Sequence, residues 1–473
     1  MNSLPKKYLF WFAHEHIDFR VPEINSILNL FKVVPSKLKI SDKSTDHPYW
    51  IVESDCETII KKIASRSVSL KFCMELWAQA SDPSKFHETL RTHSQEKIQY
   101  YKNRDKSFKI IVETFSKHIS QKEKVERIET LNYLPFEGPV KLNNPDNSFY
   151  YIEYYGTNSN TIAETPEKLF FGKWIANGQR DLIQKLSLKT RKFIGTTSMD
   201  PQLSLLMANQ AQVKNGDIIF DPFVGTGSLL VAAAQFGGYI LGADIDFMML
   251  HARTRPTRIT QKIRSSDESV AANIKQYGKS SCYLDVVVSD FSRSMWKPQM
   301  RVDVIITDPP YGIREATERI GSAKSNPNIQ ENQVATHIPS KIIYNLPHIF
   351  YDLLDFAVRH LVVNGRLVCW FPVYRDYYST DQLPSHPCLK MIANSEQILS
   401  IHSSRRLLTY VKIREPCEED VVNTLNMLDY REMYFAFKNE TRKERRMKEA
   451  LARATNKAEW EKRCKENKKE MNE

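Results

Sequence analysis

The chain has 473 residues, a formal net charge of +11 and a sequence pI near 9.1, with ordinary aliphatic and aromatic content. That length exceeds what one core supports, so two domains are expected, and the basic balance asks for an anionic partner, nucleic acid before membrane surface. Seven scattered cysteines with no Cys-x-x-Cys pair exclude a disulfide scaffold and argue against a zinc site; they point to reduced thiols in a cytosolic or nuclear protein, here read as cytoplasmic.

The first apolar run, residues 8–13, is only six residues long before His14. It is too short for a signal-peptide core or a membrane span and is predicted as a buried strand. Residues 21–31 place Ile24, Ile27, Leu28 and Phe31 on one helical face, and residues 55–64 do the same with Ile59, Ile60 and Ile63. Residues 49–52 read as a strand, 68–77 as mixed, and 85–103 as a polar, basic helix. Residues 108–115, 149–155 and 168–171 are strand-like. This third has no catalytic signature. Its functional hint is basic residues among aromatics (Lys97, Tyr100, Tyr101, Lys102, Arg104, Lys106, Phe108, Lys109), a composition that suits stacking on bases and contact with phosphates, or equally a solvated basic helix face. His14 and His16 lack further ligands nearby and read as structural. Residues 176–197 read as a linker with room for a helix, whose Arg180, Lys185, Lys189, Arg191 and Lys192 are expected on the side of a groove that faces RNA.

From there the pattern becomes a regular alternation of strands and helices. A helix is expected over 199–212, then strands at 218–220, 239–243, 284–289, 302–307 and 366–372. A helix over 349–363 is expected to close at Asn364-Gly365, and 396–401 with 406–411 are expected to form a closing antiparallel pair. Two runs stand out: Asp221-Pro222-Phe223-Val224-Gly225-Thr226-Gly227-Ser228 after one strand, and Thr307-Asp308-Pro309-Pro310-Tyr311-Gly312 after another. In an open parallel sheet, loops beyond the carboxyl ends of the strands share one crevice.

The glycine turn lacks the third glycine of a dinucleotide fingerprint, since Leu230 stands there, which disfavours a nicotinamide enzyme. Asp221 before the turn suits an ammonium group and repels phosphate. Asp244, ending the next strand, can accept from ribose hydroxyls, and Asp290, ending the third, from an adenine amine. With Phe223, Gly225 and Gly227 they outline a site for S-adenosylmethionine. Any one of these acids alone reads as a cap or turn residue; the set of three reads as a cofactor cradle. In the second run, the Asp308 carboxylate and the rigidly held Pro309 carbonyl can accept both hydrogens of an exocyclic amine as a methyl group arrives. Pro310 stiffens the turn, and Tyr311 can stack on a flipped base. No metal ligand set is expected.

Together the two runs resemble the class I, Rossmann-like amine methyltransferases. Arg191-Lys192-Phe193-Ile194-Gly195, Thr197-Ser198-Met199-Asp200, Met207-Ala208-Asn209-Gln210, residues 308–315 and Ser404-Arg405-Arg406-Leu407 narrow the resemblance to the catalytic subunits of eukaryotic tRNA (guanine-N2-)methyltransferases acting at guanosine 10. The resemblance covers residues 190–412 strongly and the first third in outline. It implies a ferredoxin-like plus THUMP RNA-binding region (1–175), a methyltransferase domain (198–415) and a charged, helical or disordered tail (416–473). It also implies tRNA as substrate and a small zinc-binding activator subunit covering an apolar sheet edge at residues 283–288. By family position, Asp221, Gly225, Gly227, Asp244 and Asp290 would bind the cofactor, and Asp308, Pro309 and Tyr311 the base. An N6-adenine methyltransferase and a non-catalytic RNA-binding protein are the alternatives. The long connection at 316–346 is expected to be a lid that orders on tRNA, or plain disorder. The tail holds 12 Lys/Arg against 7 Asp/Glu from Thr441 to Glu473 and reads as a solvated segment.

Overall fold

In the computed structural model, residues 5–41, 43–97, 101–158, 162–322 and 339–438 are described. Tyr100, the middle of the 316–346 connection and residues 439–473 of the tail lie outside them.

The first sheet is built from β1 (Lys6–Phe12), β2 (Leu38–Ile40), β3 (Tyr49–Ser54), β4 (Leu70–Ala80), β5 (Phe108–Phe115), β6 (Asn147–Tyr154) and β7 (Lys168–Asn177), in the order β2-β3-β1-β4-β7-β6-β5. All pairs are antiparallel except β5 with β6. β1 is apolar without a break because both its faces are covered. Phe10 and Phe12 pack with Ile24 and Ile27 of α1 (Arg20–Leu30) and Ile60 and Ile63 of α2 (Glu57–Ala64). Leu9 and Trp11 point the other way into a second cluster with Phe72 and Phe170. The undecided stretch 68–77 is the central strand β4. Its mixed character comes from Glu75, which is buried in the sheet and paired with Lys6 at 3.0 Å.

The basic helix α3 (Pro83–Lys97) begins two residues before its expected start, at a proline suited to a helix N-terminus. Among the described residues, two helices longer than a single turn had no sequence expectation. One is α4 (Gln121–Glu129), started by a reciprocal Ser120/Glu123 capping box. β7 runs on to Asn177, beyond its expected end at Phe171, and the linker segment keeps a helix, α5 (Asp181–Lys185).

The second sheet follows α6 (Pro201–Gln210). It comprises β8 (Ile218–Asp221), β9 (Tyr239–Asp244), β10 (Tyr283–Val288), β11 (Val302–Thr307), β14 (Leu361–Tyr374), β15 (Leu389–Ile398) and β16 (Ser403–Lys412). The order is β10-β9-β8-β11-β14-β16-β15, with six strands running in one direction and β16 antiparallel between β14 and β15. α6, α7 (Ser228–Gln235) and α9 (Val270–Gln276), the second helix without a sequence expectation, contribute to the core on one face. α10 (Leu346–His360) covers the other. α8 (Phe247–Leu250) is a single turn after β9, while β12 (Glu318–Ile320) and β13 (Lys341–Ile343) pair as a hairpin at the base of the 316–346 connection.

One boundary differs instructively. Asn364-Gly365 does not end a helix, because the chain is already extended from Leu361. Instead the pairing of β11 with β14 jumps from Val302↔Leu361 to Val304↔Arg366, and Asn364 sits at φ +70° within the resulting bulge.

The two sheets are joined by a buried polar lattice. Glu23 of α1 accepts from Ser67 Oγ, Val68 N, Ser69 N and Asn209 Nδ2 at 2.7–3.2 Å. Arg66 donates to Asn209 Oδ1 and Val213 O and lies 3.6 Å from the Phe236 ring centroid. Arg366 of β14 donates back to Ser26 Oγ at 3.0 Å.

Candidate active site

β8 and β11 are adjacent and parallel, and from them the sheet continues in opposite directions, to β9 and β10 on one side and to β14 on the other. Ligands of such sheets bind where the strand order reverses. A cavity of about 810 Å³ opens there. It is lined by Asp221, Phe223, Gly225, Asp244, Asp290, Asp308, Pro309, Pro310 and Tyr311, so nine of the ten residues expected from the sequence share one hollow. The tenth, Gly227, does not line it. At φ +76° it caps α7, and a Cβ there would meet Val270 Cγ1 at 2.5 Å. Gly225, at φ +48°, has open space where a side chain would go.

Each acid has a defined setting. Asp221 is fully buried and accepts from Thr307 Oγ1 at 2.7 Å and Phe223 N at 3.1 Å. Burial, with Asp244 and Asp308 nearby, pushes its carboxyl up to about 7. Asp244 accepts from Gly225 N and Asp246 N, so it fixes the glycine turn as well as facing the cavity; burial raises its pKa. Asp290 accepts from Ser292 and from Ile320 N at 2.7 Å, which ties the β12–β13 hairpin over this end of the hollow. Eight carboxylates line the cavity against three cations, Arg314, Lys341 and Arg405. Such a surface suits a cationic ligand without phosphate, and that donor set fits S-adenosylmethionine.

At the other end, Asp308 is committed on both oxygens. Oδ1 accepts from the Tyr311 hydroxyl, and Oδ2 accepts from Arg405 Nη1 at 3.1 Å. Burial raises the pKa of Asp308 while Arg405 pulls it down. Tyr311 is thus held by its hydroxyl, with its ring edge-on to Tyr430 at 6.4 Å between centroids.

Matches to known proteins bear on this arrangement. A family model described as "Tmrp11 THUMP N-terminal domain" covers residues 6–180, and one described as "RMKL-like, methyltransferase domain" covers residues 189–328. The Bos taurus protein named tRNA (guanine(10)-N(2))-methyltransferase TRMT11 is 46% identical over 411 residues, which span 86% of this chain and 88% of that one. The chain belongs to the tRNA (guanine(10)-N(2))-methyltransferase family. A more distant relative of the same name, from Dictyostelium discoideum, is 36% identical over 433 residues, 86% of this chain and 82% of that one. The solved structure of TrmN from Thermus thermophilus is similar over 86% of this chain and 100% of that one, at 14% identity and a TM-score of 0.43, too low to add to the assignment.

Several residues of this family member's cavity were not expected from sequence. Arg405 was noted only within a run of resemblance. Glu315 lines the wall and accepts from Thr197 Oγ1; burial and neighbouring carboxylates raise its pKa. Ser198 and Thr226 share a hydrogen bond of 2.6 Å beside the glycine turn. Tyr430 and Tyr434 of α11 (Tyr430–Lys438) reach the cavity from what had been read as tail. Ser198, Thr226, Glu315 and Arg405 lie in the runs singled out above without a role at the cavity, and no periodicity or motif marks Tyr430 or Tyr434. Conversely, Arg191 is no surface cation: it is buried and donates to Ser228 Oγ and Leu186 O, both at 2.8 Å. It locks the segment before α6 onto the start of α7 and does not face a groove. Among the described residues, no group of three or more His, Cys, Asp or Glu could hold a metal ion, and no helix is long and apolar enough to cross a membrane.

Proposed function

We propose that this chain transfers a methyl group from S-adenosylmethionine to the exocyclic N2 of guanosine 10 in tRNA, as the catalytic subunit of a heterodimer. The observation that carries this reading is the meeting of Asp221, Asp244, Asp290 and Asp308 in one acid-rich cavity. Asp221 receives the cofactor's ammonium end, Asp244 its ribose and Asp290 its adenine, while Phe223 and Gly225 form the walls. When bound, the cofactor would supply a methyl group on a sulfonium whose C–S electron pair would stay with sulfur as N2 takes the methyl, and Asp308 would accept the surplus amine proton. Asp308 and the Pro309 carbonyl orient the amine and offset the charge it develops. Pro310 keeps that carbonyl in place. Tyr311 releases its hydrogen bond when the amine arrives and packs against the guanine.

The region up to residue 175 grips the tRNA, and residues 198–415 perform the chemistry. The activator, a small zinc-binding subunit, covers β10. Support comes from its position at the end of the sheet with Leu284 and Val288 exposed, an edge strand with apolar side chains open to a partner. The test uses the chain co-purified with that subunit, acting on unmodified tRNA, followed by nucleoside mapping. N2-methylguanosine at position 10 is expected. Asp308→Ala should lower the single-turnover rate by roughly a thousandfold or more while cofactor affinity stays within about threefold. A methyl group found on adenine instead, or an unimpaired Asp308→Ala variant, would sink the reading.

A further inference from the structure

Arg405 comes from β16, 97 residues along the chain from Asp308, yet its guanidinium is wholly engaged inside the protein. Nη1 donates to Asp308 Oδ2 at 3.1 Å, Nε to Gln397 Oε1 at 2.7 Å, and Nη2 to Met199 Sδ at 3.3 Å. Its flat face lies over the Trp370 ring, 4.1 Å from the centroid, and Trp370 is itself fully buried. Every nitrogen has a protein partner and one face is covered, so this cation is not set out to meet a phosphate. A planar, always-charged group clamped on three sides is suited to holding one carboxylate oxygen in one place.

We propose that Arg405 is a positioning residue for methyl transfer: by holding Oδ2 of Asp308 it leaves Oδ1 alone to receive the substrate amine. The Tyr311 hydroxyl occupies Oδ1 in the structure and marks where that donor sits. Arg405 also keeps the carboxylate charged against its surroundings. The groups facing Asp308 are Arg405 from β16, Tyr311 and Glu315 from its own loop, Asp221 at the end of β8, and Cys369 from β14. Arg405 is the cation in that set. The Tyr311 hydroxyl, by donating to Oδ1, also favours the carboxylate, whereas burial, with Asp221 and Glu315 nearby, favours the protonated and inactive form of Asp308.

The proposal rests on the reading of this cavity as an amine-methylation site. The experiment is a single-turnover pH profile on tRNA at saturating cofactor, for the wild-type complex and for Arg405→Met, Arg405→Lys and Gln397→Leu. The wild-type rate falls on the acid side as Asp308 takes up a proton. Removing the cation should move that limb upward by about one pH unit or more. Arg405→Met is then about tenfold or more slower than wild type on the acid limb and largely recovers once the pH lies above it. Arg405→Lys should keep the limb close to its wild-type place at a reduced plateau, because the charge remains and the fork geometry does not. Gln397→Leu, at a half-buried site that does not touch Asp308, should give a smaller upward shift and serves if Arg405→Met does not fold. Equal losses at every pH, with the limb unmoved in all variants, would overturn the proposal and leave the functional reading standing. Failure of the wild-type complex to methylate tRNA would overturn that reading instead.

Discussion

Asp221 shows how a carboxyl's surroundings set what it can bind. Its two hydrogen-bond donors are neutral, and its charged neighbours are carboxylates, so without a cation the acid holds its proton to about pH 7. An arriving ammonium favours the carboxylate. Above pH 7 the group is already ionised and binding takes up no work of deprotonation. Below pH 7 the proton must first be expelled. The dissociation constant for S-adenosylmethionine should therefore be lowest near pH 7.5, rise towards tenfold per unit as pH falls well below 7, and rise again above about pH 8 as the cofactor's own α-ammonium loses its proton. Calorimetric titration across pH 5.5–8.5 checks this, and proton release on binding at pH 6 should accompany it. Affinity independent of pH over that range would place the ammonium elsewhere. The acids themselves were legible in the sequence, since each follows an apolar strand. Their pKa behaviour was not, because it depends on which other acids face the same hollow.

At the scale of elements, the turn between β8 and α7 separates two glycines that look alike in sequence. Both have positive φ, but only Gly227 is crowded, with Val270 of α9 at 2.5 Å from a would-be Cβ. Gly227→Ala should strain the turn and displace Val270, destabilising the fold by roughly 1–3 kcal/mol. Gly225→Ala should fold with a cost of about 1 kcal/mol and chiefly weaken cofactor binding, because its methyl group stands in the cavity wall. Denaturant midpoints and cofactor affinity for the two variants separate these effects; the opposite pattern would mean the roles of the two glycines are exchanged. The strands around this turn were readable from their apolar runs. The bulge at Asn364 was misread as a helix stop because Asn-Gly carries the same left-handed preference in both settings.

Across the whole molecule, the interface between the two sheets behaves as interior. Phe19 and Val68 of the first region belong to the core cluster built by α6 and α7, and Phe19 lies 5.9 Å from Trp370. With Glu23, Arg66 and Asn209 cross-bonded beneath, the two regions should unfold in one transition, although linked domains often move independently. Calorimetry should give a single peak. Arg66→Met leaves Asn209 Oδ1 and Val213 O short of a donor and should cost about 2–4 kcal/mol, lowering that one transition. Two resolved transitions in the wild type would refute the shared core.

By itself the sequence determined the alternation of strands and helices, the glycine turn and the acids at the strand ends, because each depends on residues within a few positions of one another. It also placed the chain near its family through those same short runs. Only the tertiary structure decided that Arg405 and Trp370 stand behind Asp308, that Arg191 is buried against Ser228, and that Tyr430 reaches the cavity. Those contacts follow from strand order and from one sheet packing on another, and no local pattern encodes which distant side chains a fold brings within hydrogen-bonding reach.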